Sequence, residues 1–103
     1  MKDSVEARAL IEMDALNHVK PNTQYPAQLI TTGFNDPRVA SWEPGKFAAA
    51  MQAANNTSTP TLLLVNYKGG HFGGSTVNEH FAETALKYAF LLWQCGDKGF
   101  QVK

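Results

Sequence analysis

Cysteine is nearly absent. Cys95 stands alone, which excludes an internal disulfide framework and a cysteine-based zinc knuckle. An excess of either charge is missing too. Nine basic residues balance nine acidic ones, and no Lys/Arg block or stripe occurs, which argues against nucleic acid and anionic membrane as partners. No apolar run approaches the roughly 20 residues that span a bilayer. The first ten residues mix Lys2, Asp3, Glu6 and Arg8 among small and apolar ones, so they do not read as a secretory leader. Internal repeats and low-complexity segments are absent as well.

What is present reads as globular. A hydrophobic share of 44% against 17% charged residues is ordinary for a folded domain and argues against disorder. At 103 residues, one domain with a limited core is the most that can form. Residues 4–16 have helical spacing, with Ser4 as a candidate N-cap and Ala9, Leu10, Met13 and Leu16 on one stripe. Asn17 to Pro26 has loop composition. A first strand is expected from about Ala27 to Thr32.

Ser41 is placed to cap a second helix that tolerates Pro44 and runs to about Ala54, with Phe47, Ala50, Met51 and Ala54 on one face. After the turn-rich Asn55 to Pro60, Thr61 to Asn66 is apolar in its middle, as expected of a strand covered on both faces. A glycine-rich loop from Lys68 to Ser75 follows. Asn78 to Gln94 is a strong helical pattern carrying Phe81, Ala85, Tyr88, Ala89, Leu92 and Trp93, stopped by Gly96. Cys95, at its end, is expected to be a packed thiol.

The order is helix, strand, helix, strand, helix. A crossover of that length joins parallel strands. Two parallel strands alone leave faces and edges uncovered, so the composition points to part of a larger sheet or to a chain that needs a partner.

Two loops past the strand ends hold the chemistry. Asp36 and Arg38 follow the first strand, and His71 follows the second among Gly69, Gly70, Gly73 and Gly74. Neighbouring strands lie about 4.8 Å apart, which brings an Asp36–His71 hydrogen bond within reach. The carboxylate would fix the imidazole's tautomer and leave its other nitrogen as a general base. Taken singly, Asp36 also fits a turn-former before proline, and His71 a surface loop residue.

The glycines permit positive φ and close backbone approach. A phosphate cradle is the rival, but neither the Lys-Ser/Thr ending nor GxGxxG spacing is present. A zinc site from His71, His80 and Glu79 lacks a third convincing ligand. His18 reads as a polar loop residue and Trp42 as a packing aromatic or a pocket wall. The nucleophile is missing: none of Ser4, Ser41, Ser58 and Ser75 lies in a G-x-S-x-G elbow, and Cys95 is remote from the loops.

These residues resemble a known family. QYPAQLITTGFNDPRVASWEPGKFAAAMQ, then TLLLVNYKGGHFGG and a helix with YAFLL, is similar to the C-terminal end of the catalytic domain of prolyl oligopeptidase-family serine peptidases, from about Asp14 to Leu92; residues 1–13 do not clearly match. The resemblance implies an α/β fold, the last two parallel strands of an α/β-hydrolase sheet with flanking helices. It makes Asp36 the triad acid, His71 the triad base and Arg38 a binder of a substrate carbonyl. It further implies a peptide substrate and neither metal nor organic cofactor. The family's nucleophilic serine and oxyanion donors belong to regions upstream of the matched one. The free chain is therefore expected to be an inactive part of one domain. The alternative is a non-catalytic module that pairs with itself or a complementary chain through the edge of its first strand.

Overall fold

A computed structural model describes residues 3–74 and 76–102. The expectation about Ser75 falls outside them. The chain begins with α1 (Ser4–Met13), whose N-cap is Asp3 rather than Ser4: the Asp3 carboxylate accepts the Val5 N–H at 2.8 Å. The stripe expected over residues 4–16 is cut at Asp14, which leaves the helix in extended backbone. Its carboxylate accepts the Leu16 N–H and opens a separate 3₁₀ turn, Ala15–His18. A short acidic side chain that bonds its own neighbours competes with helix continuation, and here it wins.

β1 (Gln28–Gly33) and β2 (Thr61–Asn66) pair in parallel, Gln28 opposite Thr61 and Gly33 opposite Asn66. Between them runs α2 (Trp42–Ala54). Ser41 stands at its N-cap position without a side-chain bond, so Glu43 and Pro44 in the first turn carry the start. The helix C-terminus feeds a polar knot. Asn55 accepts the Tyr25 N–H and donates to Thr59, while the Thr59 hydroxyl donates to the Tyr25 carbonyl at 2.7 Å. This knot fixes how the chain enters β1 and β2 at their amino ends.

The core is small and lies under α2. Ala48, Met51 and Ala54 are buried, with Thr61 beneath them; Ala48 takes the place expected for Ala50. Trp42 is more than half exposed. On the other face, α3 (Val77–Gln94) starts at a reciprocal capping box. Thr76 accepts the Glu79 N–H while Glu79 accepts the Thr76 N–H. Gly96, at φ 82°, closes it.

No side chain of α3 is buried. An open groove of about 570 Å³ lies between it and the sheet, lined by Leu62, Leu64, Leu86, Phe90, Trp93 and Phe100. Leu62 is 41% exposed, so β2 is not covered on both faces by this chain, as expected of two strands on their own. One expectation fails for the same reason. Cys95, expected to be packed, is an exposed thiol at the end of a helix that buries none of its side chains.

The exposed area of 7786 Å² compares with about 5700 Å² for a folded monomer of this mass. The radius of gyration is 16.4 Å where about 13 Å is usual for this length. The molecule is a slab with one face finished.

Candidate functional site

The site forms where β1 and β2 end together. Gly33 is the last residue of β1, buried, and its Cα lies so close to the Gly69 and Gly70 carbonyls that a Cβ there would overlap both. Only glycine lets the two loops touch. They are then stitched by hydrogen bonds: Phe34 N–H to the Asn66 carbonyl at 2.8 Å, Asn35 N–H to the Gly69 carbonyl at 3.2 Å, and the Asn35 side chain to the Tyr67 carbonyl.

Asp36 follows at once. One carboxylate oxygen accepts the backbone N–H groups of Arg38 (2.8 Å) and Val39 (3.1 Å). The other lies 2.9 Å from Nδ1 of His71. The Asp36 side chain is only 8% exposed and the His71 ring 32%, so the acid is sheltered and the imidazole reaches solvent. Burial pushes the Asp36 carboxyl up, but the Arg38 and Val39 N–H groups and His71 together outweigh it and hold it below the usual carboxylate range. An ionised carboxylate only accepts, so Nδ1 of His71 carries the proton in this pair. In the neutral ring that leaves the Nε2 lone pair free to take a proton.

The sequence placed Asp36 and His71 at matching strand ends, and the structure brings them together. Arg38 sits beside them through Phe72: its guanidinium lies 5.3 Å above the Phe72 ring, which meets the His71 ring edge-on at 5.0 Å. Of the loop glycines, Gly73 has φ 88° and needs to be glycine. Gly69 is packed against the Asn66 side chain and the Gly73 carbonyl. Gly70 has room for a side chain, so its expected supporting role has no steric basis.

A cleft of about 700 Å³ opens beside the pair, with Thr32, Tyr67, Glu83 and Leu86 among its walls. Among the described residues, neither serine nor cysteine lines it. Nor do three of His, Cys, Asp and Glu converge anywhere among them to hold a metal ion. Sequence reading gave no site role to Gly33, Asn35, Asn66, Phe72 or Glu83. The asparagines carried a signal, since Asn at a strand end is a turn residue that bonds its own backbone.

Comparison with known proteins fits this geometry. The sequence model of the prolyl oligopeptidase family matches residues 2–98, which extends the match through the N-terminal helix and corrects the expected start near Asp14. Protease 2 of Moraxella lacunata is 42% identical over 72 residues, 70% of this chain and 10% of that protein. Dipeptidyl aminopeptidase BI of Pseudoxanthomonas mexicana is 36% identical over the same shares. The fold is that of part of oligopeptidase B from Leishmania major, with a TM-score of 0.82 at 24% identity over 89% of this chain and 13% of that one. The chain thus spans about a tenth of the length of the relatives it matches.

Proposed function

The chain belongs to the prolyl oligopeptidase family, and from that premise we propose that it carries the acid–base half of a serine-peptidase site, as the C-terminal portion of a catalytic domain. The observation that supports this reading most is the Asp36–His71 hydrogen bond at the carboxyl end of a parallel sheet.

In this reading Asp36 keeps the proton on Nδ1 and stabilises the imidazolium. His71 Nε2 takes the proton of a serine hydroxyl as that oxygen attacks a peptide carbonyl. The same nitrogen then returns the proton to the leaving amine. In the second half it takes a proton from the water that attacks the acyl-enzyme and gives it to the departing serine oxygen. Arg38, always charged and held beside the site by Phe72, offers its fork to a carbonyl of the bound peptide. The attacking serine and the oxyanion donors come from polypeptide outside these residues, and the free chain has no peptidase activity.

The test is an exchange. This chain replaces the segment it matches in the Moraxella lacunata Protease 2, and peptide turnover is measured. Retained turnover is expected. A folded graft without turnover overturns the reading.

The excess exposed area favours a second reading for the free chain, self-association through the β1 edge. Light scattering on the purified chain at micromolar concentration separates the two, since a stable monomer counts against edge pairing.

A further inference from the structure

We propose that Asn66 and Glu83 are a positioning pair that makes the placement of His71 depend on where α3 is seated. The proposal rests on the acid–base role given to His71 above.

Asn66 is the last residue of β2. Its side-chain oxygen accepts the N–H groups of Lys68 (3.0 Å) and Gly69 (2.7 Å), which fixes the first turn of the His71 loop. Its amide nitrogen donates to one carboxylate oxygen of Glu83, in the second turn of α3. The other Glu83 oxygen lies against Gly73, where a Cβ would strike it. One carboxylate therefore touches the loop on both sides of His71, through Asn66 before it and Gly73 after it.

The Asp36 loop is fastened to the same residues. Phe34 donates to the Asn66 carbonyl and Asn35 to that of Gly69. A shift of Glu83 is thus felt at the contact between the two loops. α3 has no buried side chain to fix its position. Whatever covers its apolar face sets Glu83, and Glu83 sets the loop. Cover laid on α3 thereby acts on His71 through Glu83.

The rival is that Asn66 acts only as a local turn-former. Asn66→Asp separates the two, because an aspartate accepts from Lys68 and Gly69 equally well but faces Glu83 with a like charge. The readout is the ring ¹⁵N shifts of His71 in the purified chain, which report the ratio of the Nδ1–H to the Nε2–H tautomer. The wild type is expected to be mainly Nδ1–H. Asn66→Asp is expected to lower the ratio about fivefold, the equivalent of one neutral hydrogen bond. Adding Glu83→Gln, whose amide can donate to the new carboxylate, is expected to restore it.

An unchanged ratio in Asn66→Asp overturns the positioning pair alone. So does a fall that Glu83→Gln does not reverse. Should Asn66→Asp unfold the chain, recovery in the double variant still decides. A wild type without the Nδ1–H form overturns the Asp36–His71 pairing, and the positioning pair with it.

Discussion

The two helices flanking the sheet make an unequal pair. α2 has thirteen residues and buries Ala48, Met51 and Ala54; α3 has eighteen and buries none. Yet α3 has the bulkier apolar side chains, with Phe81 69%, Tyr88 62% and Leu91 53% exposed. An apolar stripe records the surface a helix meets in the complete protein. The α2 stripe is matched within this chain, whereas the α3 stripe is wider than two strands can cover. The Asp36 and His71 loops straddle this divide. Asp36 leads into the finished side and His71 into the unfinished one.

Substitutions on the two sides of the sheet should differ accordingly. The largest effect is expected at the loops themselves. In the Protease 2 graft, Asp36→Asn should lower kcat about 10⁴-fold, because the wrong tautomer is then favoured. Loss of less than tenfold in steady-state kinetics would show that His71 does not depend on that carboxylate.

Next come the helices. Met51→Ala should destabilise the free chain by about 2–5 kcal/mol in chemical denaturation, enough to unfold a small domain. Leu91→Ala, on the open face, should stay within about 0.5 kcal/mol there. The same Leu91→Ala in the graft should cost several-fold more, since the face is then covered. Equal costs for Met51 and Leu91 in the free chain would erase the distinction between the faces.

Gly33→Ala should cost about 1–3 kcal/mol, as the new methyl must push the His71 loop away from β1. A comparison of His71 tautomers with and without that methyl would locate the displacement.

The smallest effect is one of pH. The folded-state pKa of Asp36 is lowered, so the stability it lends is complete above the ordinary value of 3.8 and is lost as pH falls through the lowered one. Amide exchange at Arg38 and Val39 should therefore lose its protection only in that acid range, and Asp36→Asn should abolish the pH dependence. Loss of protection at neutral pH in the wild type would count against the carboxylate as the loop's anchor.

Much of the fold was legible because its signals are local. The β-branched run from Leu29 to Thr32 and the apolar run from Leu62 to Val65 read as strands, and each was cut by a turn-forming residue at nearly the observed place. Asp36 and His71 were legible because parallel strands put equivalent loops side by side. What escaped depended on contacts across the chain. Asp14 breaks a helical stripe by bonding Leu16. Gly33 is required by carbonyls 36 and 37 residues later. Cys95 was read as packed because the pattern describes a covered helix, and these residues do not include its cover.

In the reading proposed above, these residues hold the acid and the base of a hydrolytic site while the attacking oxygen comes from elsewhere. A fluorophosphonate probe tests it in one measurement, applied in parallel to the purified chain and to the graft. No adduct is expected on the free chain, and in the graft an adduct is expected on a serine outside the transplanted residues. An adduct on any serine of the chain itself would contradict that reading.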